Sequence, residues 1–293
     1  MKTLNLSLNG KTAVYGIIGN PVAHSFSPWM QSWFFRKQKI NAVYCPFEVN
    51  DTDLRKAVNG LKALNIQGFN VTVPYKEKVM PYLDKVSSEA KIIGAVNTVV
   101  RKEDHFEGFN TDGYGFLKSL VTQGEVLPDG ASFLIFGLGG AARSIVYTLA
   151  KEKARQITIS SRKKTRAAAF CKEVNQYAEE KLCLAVESYS STFEEKLAAA
   201  DVIVNCSPLG MKPEDPLPFS PEKCKKGAVI YDLIYNPART PLLKKARQNG
   251  LSVINGLGML IFQGMKSFKH WTQEDVTIYF DTIYRELGKN IEG

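Results

Sequence analysis

The stretch "FLIFGLGGAAR" leaves an apolar strand, passes through a glycine turn and enters a helix. It matches GxGxxG/A, with Gly137, Gly139 and Ala142 at the three positions. Gly137 permits the tight turn, Gly139 lets the backbone approach a pyrophosphate, and the small Ala142 allows helix and strand to pack closely. The helix N-terminus then offers free N–H groups and a partial positive charge to phosphate. Such turns also occur without a ligand. A dinucleotide is favoured here because the turn follows a strand, opens a helix and begins a run of alternating elements. An NAD site carries an Asp or Glu about 20 residues further on, where it grips the ribose 2′-OH. At that distance this chain reads "ITISSRKKTRA", with no acid. Ser161 and Arg162 stand at the strand end, with Lys163 and Arg166 beside them. Guanidinium and ammonium groups suit a 2′-phosphate. The cofactor expected is therefore NADP; a solvated basic helix start is the plainer alternative.

A hydride transfer also moves a proton, so the rest of the chain should supply an acid/base group. "NVTVPYKEK" places Thr72 on a strand and Lys76 just past Pro74, and "GFNTDGYGF" places Asp112 in a tight turn at a helix start. Each has an ordinary explanation taken alone. Lys76 could be a surface lysine, Asp112 the cap of a helix from 113 onward, and Asn97 in "GAVNTVV" a satisfied turn residue. In "HSFSP", Ser27 and Pro28 read as N-cap and N1 of a helix. That helix start is also an anion site, at which Ser25 and Ser27 could hold a carboxylate. Composition and periodicity do not join these residues to one another.

The elements that must position them alternate between strand and helix. Residues 13–19 read as a strand, 28–40 as an amphipathic helix, 42–49 as a strand, 51–64 as a helix capped by Asp51, and 68–74 as a strand ended by proline. "YKEKVMPYLDKV" reads as helical, residues 91–113 as two strands around a charged turn at "KEDH", and 114–123 as a helix. The pattern then restarts with a buried-type strand at 131–137 and the glycine turn. "QITISSR", "ADVIVNCSP" and "GAVIYDLIY" are further strands with helical stretches between them, and a helical tail covers 258–287. Alternation of this kind predicts a parallel sheet with helices on both faces. The fold class expected is α/β, in two domains at 1–120 and 121–255, with a tail that could pack on either.

The 293 residues, 44% hydrophobic and 23% charged, suffice to build cores without staples. Five cysteines show no CxxC pair and no regular spacing, which argues against a disulfide framework and for a reducing compartment. His24, His105 and His270 lie far apart and form no ligand motif, so no metal is expected. The first residues carry polar side chains and glycines where a signal peptide needs an uninterrupted apolar core. No stretch approaches the roughly 20 apolar residues of a membrane span. A cytoplasmic protein with no membrane partner is expected. The net charge of +9 is spread along the chain, with one tighter run at "SRKKTRAAAF". No aromatic-and-basic repeat of an RNA-binding module accompanies it, so nucleic acid is not the expected partner.

"HSFSP", "NVTVPYK", "GAVNT", "GFNTDG", "GLGGAAR", "NCSPLGM", "YDLIYNP" and "GLGMLIFQ" stand in this order along the chain. In these motifs, over about residues 15–271, the chain resembles the shikimate dehydrogenases. The resemblance implies reduction of 3-dehydroshikimate to shikimate with NADPH by a monomer or homodimer. It implies that Ser25 and Ser27 bind the substrate carboxylate with Tyr235, and that Thr72, Asn97, Asp112 and Gln263 hold the ring hydroxyls. Lys76 and Asp112 would form the catalytic pair. Gly137, Leu138, Gly139, Gly140 and Ala141, then Ser161, Arg162, Lys163 and Arg166, would grip NADP. Leu233, Gly256 and Met259 would line the nicotinamide side. The family fold returns the tail, 256–293, to an N-terminal substrate domain, with a cleft between it and a Rossmann-type domain at 121–255. The family's Asn-Arg-Thr adenosine-phosphate motif is here Ser161-Arg162-Lys163, which keeps the arginine and adds a charge. A dual-specificity quinate/shikimate dehydrogenase is the near alternative. A non-catalytic relative is the distant one, and would be expected to lack Lys76 or Asp112.

Overall fold

The computed structural model describes residues 8–212 and 214–292. They form two compact units. One reaches Thr111 and takes in Gly264–Ile278; the other comprises Asp112–Gln263 and the segment from Tyr279 on.

The first unit runs β1 (Ala13–Gly19), α1 (Ser27–Lys37), β2 (Ala42–Glu48), α2 (Leu54–Ala63), β3 (Gly68–Val71), β4 (Lys85–Val86), α3 (Ser88–Ile93), β5 (Thr98–Lys102) and β6 (His105–Phe109). Its sheet has the order β2-β1-β3-β5-β6-β4. β1 is parallel to β2 and β3, whereas β5 is antiparallel to β3 and β6. The sheet is thus mixed rather than parallel, because the tight turn between Lys102 and His105 forces β6 to reverse along β5. Pro46 sits on β2, an edge strand, which tolerates a residue with no N–H to donate. On one face Phe69 and Val71 of β3 pack into a core with Ile18, Val58, Val99 and Phe106. Strand alternation turns Asn70 to the other face.

The second unit runs α4 (Asp112–Gly124), β7 (Ser132–Phe136), α5 (Gly140–Lys151), β8 (Gln156–Ser161), α6 (Lys164–Ala178), β9 (Cys183–Glu187), α7 (Ser191–Ala199), β10 (Val202–Asn205), β11 (Val229–Asp232), α8 (Pro241–Gln248), β12 (Ser252–Asn255), the start of α9 (Leu257–Thr272), whose residues from Gly264 on belong to the first unit, and α10 (Phe280–Glu292). Its sheet is parallel throughout, in the order β12-β11-β10-β7-β8-β9. Covered on both faces, its central strands read as unbroken apolar runs such as Phe133–Phe136 and Val202–Val204. The strand order reverses between β7 and β10. At such a switch point a doubly wound sheet opens a crevice at its carboxyl ends.

Several local expectations need correction. Asp51 caps no α-helix: Asp51–Asp53 form a 3-10 turn behind Asn50, and α2 starts at Leu54. "YKEKVMPYLDKV" forms no α-helix: it holds turns, a 3-10 turn at Met80–Tyr82 and then β4, since Pro81 removes a helical N–H. Lys91–Ile93 belong to α3, not to a strand. Ser87 Oγ caps that helix by accepting the Ala90 N–H at 3.2 Å, and Gly94 ends it at φ 73°. The tail breaks into α9 and α10. The compact units also divide differently from 1–120 and 121–255. All of α4 packs with α5 and β12, because Gly113 and Gly124 abut Thr148 and Ile254. Gly264 abuts Met30 of α1, whereas Phe280 of α10 stacks on Phe262 at 4.1 Å, so the segment 256–293 is shared between the units.

Candidate active site

Parallel neighbours β1 and β3 end side by side, so the loops leaving them meet. The Thr72 N–H donates to Ile18 O at 2.9 Å and the Asn20 N–H to Val73 O at 3.0 Å. Gly19 allows this approach: a Cβ there would lie 2.3 Å from Thr72 Cγ2. Pairing of β3 stops at Val71, which places Thr72 just past the strand rather than on it. Tyr75 anchors the loop from within, 1% exposed and donating its hydroxyl to Val49 O at 2.5 Å. Lys76 follows it, half-buried, and its carbonyl accepts the Val96 N–H at 2.8 Å.

On the β1 side, α1 begins at Ser27 with Phe26 as its N-cap, so Ser27 is not the cap and Pro28 falls at the second helical position. No side chain caps the helix. Instead Ser25 Oγ accepts the Ser27 N–H at 3.2 Å, a local serine turn that does part of a cap's work. Because β5 is antiparallel, its first residues lie beside the ends of β3 and β6. The Val71 N–H donates to Asn97 O at 2.9 Å, and the Asn97 N–H to Phe109 O at 3.1 Å. Ser25, Ser27, Thr72, Lys76 and Asn97 are therefore gathered at one end of the first sheet.

In the second unit Asp112 is the first residue of α4 and is 3% exposed. One turn on, Gly115 lets α4 cross α9 closely: a Cβ there would lie 2.7 Å from Met259 O and 2.8 Å from Gln263 N. Asp112 and Gln263 thus stand on two helices fixed by one crossing. Gln263 Nε2 donates to Leu260 O at 2.8 Å.

The glycine turn follows β7. Gly137 has φ 101°, in the left-handed region, and presses against the backbone of Cys206 and Ser207 at the end of β10. Gly139 is the N-cap of α5, with no side-chain cap and nothing within 4 Å of where its Cβ would be. Leu138, Gly140 and Ala141 are half-buried, and Ala142 is fully buried against the sheet. Open space over a helix N-terminus, bounded by glycine backbone, fits a pyrophosphate. At the end of β8, Ser161 Oγ accepts the Lys163 N–H at 3.2 Å, while Arg162, Lys163 and Arg166 are exposed. A cationic rim with no carboxylate in that stretch fits a 2′-phosphate. Leu233, Gly256 and Met259 come from the ends of β11 and β12 and the start of α9. Tyr235 is half-buried, and burial raises its phenol.

Two buried networks had no reading in the sequence. In the first unit Tyr44 donates to Asn70 Oδ1 at 2.7 Å. Asn70 Nδ2 donates to Asn97 O at 3.0 Å and to Ser267 Oγ at 3.1 Å, and Thr98 Oγ1 lies 2.7 Å from Ser267 Oγ. In the second, Asp232 is wholly buried. Its Oδ1 accepts from Asn205 Nδ2 at 3.0 Å and the Ile234 N–H at 3.2 Å, and its Oδ2 accepts from Thr240 at 2.7 Å. Burial pushes its carboxyl up to about 6 against these hydrogen bonds. The network ties the Leu233–Tyr235 loop to the end of β10. A polar residue closing an apolar strand, as in "VIYD", was the available signal. Among the described residues no three His, Cys, Asp or Glu gather as a metal site would require, and no helix is long and apolar enough to cross a membrane.

The family model for the shikimate dehydrogenase substrate binding domain matches residues 17–99, and that for the saccharopine dehydrogenase NADP binding domain matches residues 133–210. The chain is 42% identical over 287 residues to the shikimate dehydrogenase (NADP(+)) of Methanocaldococcus jannaschii, covering 96% of this chain and 100% of the relative. It is similar to the crystal structure of a shikimate dehydrogenase in complex with NADP+, at TM-score 0.90 and 37% identity over 99% of both chains. It is also similar to the quinate dehydrogenase from Corynebacterium glutamicum in complex with NAD, at TM-score 0.85 and 28% identity, over 94% of this chain and 98% of that one.

Proposed function

The chain belongs to the shikimate dehydrogenase family, and from that premise we propose which of its residues bind and which react. The protein is an NADP-dependent oxidoreductase acting on a CH–OH group, reversibly reducing 3-dehydroshikimate to shikimate. Ser25 and Ser27 hold the substrate carboxylate at the start of α1, where the helix N-terminus adds partial positive charge. Tyr235 joins them. Thr72, Asn97, Asp112 and Gln263 hold ring hydroxyls. Lys76 Nζ donates a proton to the C3 oxygen as the carbonyl becomes an alcohol, and takes one back in the oxidative direction. Asp112 orients the lysine and the neighbouring hydroxyl. Gly137, Leu138, Gly139, Gly140 and Ala141 take the pyrophosphate of NADP, and Ser161, Arg162, Lys163 and Arg166 its 2′-phosphate. Leu233, Gly256 and Met259 line the nicotinamide, which when bound supplies the hydride.

The observation that carries this reading is the shared end of the first sheet. There the ends of β1, β3 and β5 bring together Ser25, Ser27, Thr72, Lys76 and Asn97, a set of hydroxyls, an amide and a cation matched to a polyhydroxylated acid. The test is NAD(P)H absorbance with Lys76→Ala. A kcat loss of about a hundredfold or more with a smaller change in KM is expected; near-normal kcat overturns the assignment. The wild-type enzyme is assayed with shikimate or quinate against NADP or NAD. Turnover confined to shikimate and NADP supports the reading. Turnover of quinate, or with NAD, favours the dual-specificity alternative, to which the likeness to quinate dehydrogenase points.

A further inference from the structure

β9 is the outermost strand of the second sheet, paired with β8 and covered by α6. Cys171 lies on α6 and Cys183 is the first residue of β9. Their sulfurs are 2.9 Å apart, and the residues are 4% and 3% exposed. The juxtaposition is held by a second feature. Asn175, one helical turn beyond Cys171 and so on the same face, clamps the Cys183 backbone. Its Oδ1 accepts the Cys183 N–H at 2.6 Å, and its Nδ2 donates to the Cys183 carbonyl at 3.0 Å. A disulfide needs the sulfurs about 2.05 Å apart, so they must close by less than about 1 Å. Both residues, with Lys172, Asn175 and Lys181, line a shallow surface groove.

We propose that Cys171 and Cys183 form a disulfide within the folded chain when it meets a peroxide, bracing α6 against the edge strand β9. One thiolate attacks a peroxide oxygen and the O–O bond breaks, giving a sulfenic acid and, with the thiol's proton, one water. The second sulfur then attacks the sulfenic sulfur, and its proton leaves with the hydroxyl as a second water. The protein loses two hydrogens and one peroxide becomes two waters. The Cys171 sulfur and burial raise the Cys183 thiol above its ordinary value, so the reaction is slow near neutrality and needs sustained oxidant. Until then the pair rests as two thiols.

The test uses the full chain treated with hydrogen peroxide, then denatured, alkylated and digested with trypsin without reduction. Cleavage after Arg166, Lys172, Lys181 and Lys196 separates the two cysteines into peptides 167–172 and 182–196. Mass spectrometry is expected to find these two joined, and titratable thiols are expected to fall from five by two. Tm should rise by about 5 °C, reversibly with dithiothreitol, because a cross-link restricts the unfolded chain. In Cys183→Ala neither the link nor the rise should appear. Peptides emerging separately alkylated or as sulfinic acids, or joined to Cys45, Cys206 or Cys224, overturn the pairing. A link without a rise in Tm overturns the brace.

Discussion

The backbone of Gly256 lies so close to that of Leu233 that a Cβ on Gly256 would stand 1.9 Å from the Leu233 carbonyl oxygen. The two residues immediately follow neighbouring parallel strands, β11 and β12, and Leu233 cannot withdraw freely because its N–H donates to Asn205 O at 3.0 Å. Gly256→Ala should therefore displace the proposed nicotinamide wall and cost about 2–3 kcal/mol of stability. Chemical denaturation and steady-state kinetics check this. KM for NADP should rise more than KM for shikimate, whereas wild-type stability and KM values would show that the contact yields without consequence.

Asn97 has two tasks that one variant pair can separate. Its Oδ1 accepts the Thr111 N–H at 2.8 Å and its Nδ2 donates to Thr111 Oγ1 at 2.9 Å, fixing the residue immediately before Asp112. Asn97→Ala takes the acceptor from the buried Thr111 N–H, while the Thr111 hydroxyl keeps Ser267 Oγ at 3.2 Å; the loss is about 1–3 kcal/mol. Asn97→Asp keeps the acceptor for the N–H and should lose less stability. Both should raise KM for shikimate if the amide also meets a ring hydroxyl. An Asn97→Ala enzyme with unchanged Tm would remove the positioning role and leave only the binding one.

The parallel half of the fold was legible because buried central strands such as Phe133–Phe136 and Val202–Val204 announce themselves as apolar runs between turn signals. Short edge elements were not. Cys183–Glu187 and Ser252–Asn255 are four or five residues long, and β4 has only two. The charged turn at "KEDH" announced the reversal between β5 and β6, but the antiparallel pairing of β5 with β3 was hidden, since no residue type marks which neighbour a strand takes or in which direction. At the candidate site, the glycine turn could be read from local backbone requirements. Lys76 and Asn97 could not be joined by spacing, because they meet through strand order. The Asn70–Ser267 bond spans most of the chain, and no local pattern foretells it.

Arg162 separates the two nicotinamide cofactors by charge. It is exposed at the end of β8, beside Lys163 and Arg166, where an NAD site would carry an acid. Arg162→Ala should raise KM for NADP by about tenfold, in keeping with the loss of one charge-assisted hydrogen bond. NAD kinetics should stay nearly constant, and the NADP effect should shrink with added salt. Equal losses with both cofactors would show that the arginine supports the loop and not the 2′-phosphate.

His270 should make the first unit acid-sensitive. Its ring stacks on Phe109 with centroids 4.5 Å apart, and burial, with Lys266 and Lys102 nearby, pushes its pKa down to about 4. In the unfolded chain a histidine takes its proton near pH 6.5. Between those values the unfolded state binds more protons than the folded one, so this residue's contribution falls as pH drops from about 6.5 to about 4, and it is fully present above that window. The ring is partly open to solvent, which screens the effect to about 1–2 kcal/mol. His270→Phe keeps the stacking and removes the titration. Urea midpoints of wild type and variant should therefore converge or cross between pH 7.5 and pH 5, with the wild type losing more. Parallel losses in the two proteins would place the acid sensitivity elsewhere, since only a group that protonates earlier in the unfolded chain can produce a difference of this sign.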